Sequence, residues 1–127
     1  MKLTIKELSS FITSYQNIKN EKMSVGLAFT LSKIFKEVQE AIEFYRDKYN
    51  QYLSLYALPD EQGGYKISED GKKVLLKTET LIEAKDKFKE LDNYEFTLNI
   101  TKIPFDTLNE LNISPEEISG LAPFIEE

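Results

Sequence analysis

"SVGLAFTLSKIFKEVQEAIEFYRDKYNQYLSLY", residues 24–56, holds no proline and, after Gly26, no glycine. Within it Ala28, Leu31, Phe35, Val38, Ile42, Tyr45, Tyr49, Tyr52 and Tyr56 recur at alternating spacings of three and four. That is the repeat of one face of an α-helix. Leu27, Ile34, Ala41 and Leu55 add a flanking column, so the apolar face is wider than a two-stranded coiled-coil seam and suits packing in a helical bundle. Ser24 is positioned to cap the start. At 1.5 Å per residue a helix over 24–56 is roughly 50 Å long. A domain of this size needs less across its core, so one end is expected to project or to meet another chain.

Shorter elements flank this helix. Residues 5–17 carry Ile5, Leu8, Ile12 and Tyr15 at helical spacing, with Thr4 and Glu7 three positions apart in a capping box. "LPDEQGG", residues 58–64, ends the long helix, and "YKISEDGKKVLL", residues 65–76, holds Asp70-Gly71 between two short runs, a hairpin signal. Thr80 with Glu83 repeats the capping-box spacing before a third stripe of Leu81, Ala84, Phe88 and Leu91. From Tyr94 the period changes to two. Tyr94, Phe96, Leu98 and Ile100 alternate with polar residues, which predicts a strand that Pro104 stops. Ser114-Pro115-Glu116-Glu117 reads as a helix start, a cap followed by proline at the first position. The fold expected is α+β and mostly helical: one long amphipathic helix packed by shorter helices, with a small antiparallel β element. A single domain over 1–127 is expected.

Composition narrows the chemistry. The chain has neither cysteine nor histidine, which removes disulfides, thiolate chemistry and histidine-based triads or metal sites. With 22 acids against 16 bases the net charge is −6, without the broad basic footprint of a nucleic-acid binder. No run approaches the length of a membrane span or of a signal-peptide core. The expected location is cytoplasmic.

The helix opening "SVGLAFTLSKIFKEVQEAIEFY" (24–45), the glycine-bearing loop after it, "YEFTLNITKI" (94–103) and "LNISPEEISGLAPFI" (111–125) together resemble a family of small bacteriophage and prophage proteins of low-GC Gram-positive hosts. The resemblance implies a phage-encoded accessory protein working in the host cytoplasm. It brings no activity and no site residues with it.

The residues make a weak case for catalysis. Glu37, Glu40, Glu43 and Asp47 lie three or four apart and read as the solvated outer side of the long helix. A helical di-metal site would pair glutamate with histidine. "DEQGG" precedes a strand-like run instead of opening a helix, so it offers no phosphate cradle. "SEDGKK" lacks the calcium-loop pattern, and Ser32 and Lys33 do not share a helix face. No enzyme activity, metal or cofactor is expected.

The candidate binding residues lie at the end of the stripe: Tyr45, Arg46, Lys48, Tyr49, Tyr52 and Tyr56. On one reading the rings pack the wide end of a bundle, hydroxyls outward. On the other they form an interface, because tyrosine and arginine combine large contact area with a polar tip. The function expected is that of a non-catalytic phage accessory protein. It would bind and modulate or inhibit a host protein, including one of an anti-phage defence. Two alternatives remain: an oligomeric sponge for a small anionic signalling ligand, and a virion assembly or structural protein. The expected partners are further copies of the chain as a dimer or larger closed assembly, a host or phage protein, or a small anion, with no membrane and no nucleic acid. An anion needs converging cations, and the sequence places only Arg46 and Lys48 near the rings.

Overall fold

The computed structural model describes Met1–Glu126. The order is β1 (Lys2–Leu3), α1 (Ile5–Ile18), α2 (Val25–Tyr56), α3 (Leu81–Asp92), β2 (Phe96–Thr97), β3 (Ile103–Pro104), a 3₁₀ turn (Phe105–Glu110), α4 (Pro115–Leu121), a second 3₁₀ turn (Ala122–Phe124) and β4 (Ile125–Glu126). The architecture is α+β and mostly helical, with one long helix and a small antiparallel pair. The chain forms two compact units. One comprises Met1–Glu43 with the segment from Tyr94 onward, the other Phe44–Asn93, and α2 contributes residues to both.

In the first unit α1 starts where the sequence places it. The Thr4 N–H donates to Glu7 Oε1 at 3.1 Å, giving the reciprocal half of a capping box. Leu8, Phe11 and Ile18 of α1 are wholly buried, as are Leu121 and Phe124, and the Phe11 and Phe124 rings meet at 4.7 Å. α4 packs on α1 at Gly120, where a β-carbon would lie 2.6 Å from the Ser10 carbonyl oxygen and 3.0 Å from Ser14 Cβ. Ser114 caps α4 by accepting the Glu117 N–H at 3.3 Å. The start of α2 is capped from a distance. Ser24 Oγ accepts the Leu27 N–H, while the Glu110 carboxylate takes the Ser24 N–H at 2.8 Å and its hydroxyl at 3.0 Å. Glu110 thus does for α2 what an acid at the third helical position does in a capping box, where α2 itself has Leu27.

The β structure is smaller than the sequence alternation predicts. β2 pairs antiparallel with β1, Lys2 opposite Thr97 and Leu3 opposite Phe96, and the Leu98 N–H reaches the Met1 carbonyl at 2.9 Å. The ladder covers only these pairs, and Ile100 lies outside it. A second pair, parallel and not anticipated, joins β3 to β4, Ile103 opposite Ile125.

The apolar face of α2 is rotated relative to a strict heptad. Leu27, Leu31, Ile34, Val38 and Ala41 are buried, whereas Ala28, Phe35 and Ile42 of the expected seam are half-buried. A straight helix drifts about 20° per heptad against a seven-residue repeat. Drift alone does not order the column Ala28, Phe35, Ile42, Tyr49, Tyr56: the first three are half-buried, Tyr49 is 36% exposed and Tyr56 7%. The flanking column goes from Leu27 in the core to Leu55 at 60% exposure.

In the second unit the chain after α2 folds into a compact loop. Leu58, Lys66 and Leu75 close a ring of backbone hydrogen bonds: Leu58 N–H to Leu75 O at 2.9 Å, Leu75 N–H to Lys66 O at 2.8 Å, and Lys66 N–H to Leu58 O at 2.9 Å. Antiparallel bridges pair Ala57 with Leu76, Pro59 with Tyr65 and Ile67 with Val74. The Asp70-Gly71 turn forms as expected, with Gly71 at φ +73, a region that favours glycine. The capping box at Thr80 does not form. Thr80 sits at φ −120, ψ 18, outside the extended conformation a cap needs, and its Oγ1 is buried without a hydrogen-bond partner.

Candidate functional site

Within the second unit, α2 and α3 bring together the tyrosine stripe and the apolar stripe of α3. Tyr45 and Tyr49 are one turn apart on α2, rings 6.1 Å apart and inclined by 19°. Phe88 of α3 meets Tyr49 at 5.3 Å and Tyr52 edge-on at 5.7 Å. Tyr52 in turn lies 6.3 Å from Tyr56. Such offset and edge-to-face pairs are the arrangements that aromatic rings prefer. One turn after Phe88, Asp92 accepts the Tyr45 hydroxyl at 2.6 Å.

Tyr45, Tyr49 and Phe88 line one side of a cleft of about 490 Å³. Its other side is the hairpin segment, where Lys72, Lys73, Val74 and Leu76 face Tyr45, Tyr49, Leu53, Phe88 and Asp92. The volume lies in the range of small-molecule sites, roughly 300–1,000 Å³. The tip carrying the two lysines is tied down by its own side chains. Asp70 Oδ1 accepts the Ser68 hydroxyl and, at 3.0 Å, the Lys72 N–H. Ser68 Oγ accepts the Lys73 N–H at 3.2 Å, and the Gly71 N–H closes on the Ser68 carbonyl at 2.9 Å.

Tyr49 is the ring most open to the cleft. It is 36% exposed, whereas Tyr56, one heptad later in the same unit, is 7% exposed.

The electrostatics follow from this packing. Burial first, then the hydrogen bond to Asp92 and its negative charge, raise the Tyr45 phenol well above its ordinary 10.0. The Tyr56 phenol is also raised, by burial and then by the Glu83 carboxylate. Asp70 is held below the ordinary carboxylate value by the Ser68 hydroxyl and then the Lys72 N–H. The Tyr45 phenol is therefore un-ionised at neutral pH and donates to Asp92.

The structure divides the six sequence-selected residues. Tyr45 and Tyr49 line the cleft, while Tyr52, half-buried, and Tyr56, buried, are outside its lining. Arg46 is exposed, Lys48 is half-buried, and neither belongs to the cleft lining. Sequence reading missed Lys72, Lys73, Phe88 and Asp92. Two signals pointed to them: lysines directly after a turn dipeptide, and an acid in the last turn of a helix, where the macrodipole disfavours it.

A second cavity, of about 610 Å³, lies in the first unit between α2 and residues 99–101. Its walls mix Lys33 and Lys36 with Glu37 and Glu40, and Lys33 Nζ is spent over the Phe29 ring at 5.3 Å. Glu37 is half-buried where a solvated face was expected, while Glu40, Glu43 and Asp47 are exposed. Among the described residues no group of three or more Asp or Glu is placed to hold a metal ion, and no helix is long and apolar enough to cross a membrane. No protein-family model, no curated protein and no solved structure matches the chain.

Proposed function

We propose that this chain is a non-catalytic, phage-encoded accessory protein that captures a small anionic ligand in the Tyr45–Tyr49–Phe88 cleft, withholding it from a host process. The observation that carries this reading is the pair Lys72 and Lys73 on the cleft wall facing the rings. An anion site needs cations converging on an apolar surface, and the hairpin supplies them beyond Arg46 and Lys48. The bonds that Asp70 and Ser68 accept from the Lys72 and Lys73 N–H groups favour binding further, since a tip ordered in advance loses less freedom when a ligand arrives.

A fluorescent naphthalene sulfonate, ring and anion in one molecule, tests the reading. Lys72→Ala with Lys73→Ala is expected to weaken its binding at least tenfold, and Arg46→Ala to leave it unchanged. Equal binding by all three proteins removes the cleft from consideration.

A protein-partner reading has its own observation. Val25 and Phe29, one turn apart on α2, are 87% and 64% exposed. Adjacent open apolar side chains of this kind support self-association, since contiguous exposed apolar surface marks interaction sites.

A further inference from the structure

We infer that the ligand of the cleft in the second unit is a nucleoside phosphate. The inference rests on the anion reading above and adds the rest of the molecule. Three features of the cleft differ in chemistry, and a single ligand must answer all of them. The first is an aromatic wall. The Tyr49 ring, 36% exposed, is braced by Phe88 at 5.3 Å and Tyr45 at 6.1 Å. A braced, partly open ring is a stacking platform for another planar ring. The second is the lysine pair, whose ammonium groups act as point charges suited to phosphate oxygens.

The third is Asp92. One of its oxygens accepts the Tyr45 hydroxyl at 2.6 Å, which leaves the other to accept from a bound molecule. An ionised carboxylate is an acceptor only. It repels a bare anion and welcomes an N–H or O–H. Inorganic phosphate answers the lysines alone, and an uncharged ring answers the wall alone. A nucleoside phosphate has the planar ring, the ribose hydroxyls or base N–H groups, and the phosphate. The cleft's 490 Å³ lies within the range that holds molecules of this size. With a net charge of −6 the protein as a whole repels a polyanion, so the ligand is a free nucleotide and not a strand.

Calorimetric titration of the whole protein with adenosine 5′-monophosphate, adenosine, inorganic phosphate and a short single-stranded oligonucleotide separates the outcomes. The nucleotide is expected to bind at least tenfold more tightly than adenosine or phosphate. Lys72→Ala with Lys73→Ala should remove that advantage over adenosine. Tyr49→Leu should weaken nucleotide and nucleoside together, leave phosphate unchanged, and keep the far-ultraviolet dichroism of the parent. Phosphate binding as tightly as the nucleotide overturns the inference while the anion reading stands. Tighter binding of the oligonucleotide also overturns it. If none of the four binds at millimolar concentration, the inference and the reading fall together.

Discussion

Replacing Gly120 by alanine tests the packing of the first unit by its sign. In an open helix, glycine to alanine stabilises a protein by about 0.5–1 kcal/mol, because glycine loses more backbone freedom on folding. At Gly120 the new β-carbon would stand 2.6 Å from the Ser10 carbonyl oxygen and 3.0 Å from Ser14 Cβ, and closer still to Ser14 Oγ. The hydroxyl can rotate away. The carbonyl and the β-carbon belong to α1 and cannot, so α4 must lift by a good fraction of an ångström. A gap of that size forfeits roughly a quarter to a half of each dispersion contact along the seam. Overpacking of this kind costs about 1–3 kcal/mol, which exceeds the backbone gain. In a chain of this length each kcal/mol shifts the midpoint by roughly 3–5 °C.

The expected result is a thermal midpoint lowered by several degrees, read by circular dichroism and matched by a lower urea midpoint. Gly26, also on a helix, has nothing within 4 Å of the point where a β-carbon would stand, so Gly26→Ala should raise the midpoint in the same assay. Adding Ser14→Ala to Gly120→Ala should recover only part of the loss, because the Ser10 carbonyl remains. A Gly120→Ala protein that melts at or above the parent temperature would falsify the close approach of α1 and α4.

Three further outcomes follow from the second unit and from the exposed apolar chains. With its folded-state pKa raised, the Tyr45 phenol contributes stability that is complete below about pH 10 and is lost as pH climbs through its folded value. Tyr45→Phe should therefore lessen the loss of stability above pH 10, measured by urea unfolding across pH, and remove one late-ionising phenol from the ultraviolet titration. Thr80→Val should leave stability unchanged or raise it, since it removes a buried hydroxyl that has no partner. A loss of about 1 kcal/mol there would instead restore the capping box. Light scattering at micromolar concentration should give a mass above that of one chain, lowered by Phe29→Ser, and a monomer mass for the parent removes the self-association proposal.

How much of this was legible in the sequence depended on how far apart the interacting residues lie. α1, the extent of α2 and the start of α4 were legible because their signals are local: Thr4 with Glu7, an unbroken helical period, and Ser114-Pro115. The cap of α2 was half legible. Ser24 is next to its helix, but Glu110 reaches it from 86 positions away, and no short-range pattern encodes that. The strand after Tyr94 was legible in its alternation and not in its length, because its pairing partner, Lys2–Leu3, lies far away in the sequence. At Thr80 the spacing was right and the backbone was not, since the compact loop delivers the chain to α3 at φ −120, ψ 18.

The cleft divides in the same way. Its tyrosine side is written along one helix and can be read by counting. Its lysine side depends on where the ring of bonds among Leu58, Lys66 and Leu75 carries the hairpin, and that ring joins three passes of the chain. Counting alone also misranks the rings. By heptad position Tyr49 and Tyr56 are equivalent, yet Tyr56 is 7% exposed and Tyr49 36%. The 20° drift per heptad is too small to separate residues one heptad apart so sharply. The difference comes from what faces each ring, and only at Tyr49 is that an open cleft with cations on its far wall. A core position that a fold leaves uncovered, beside charge that the fold has brought there, is where binding is the more economical explanation than packing.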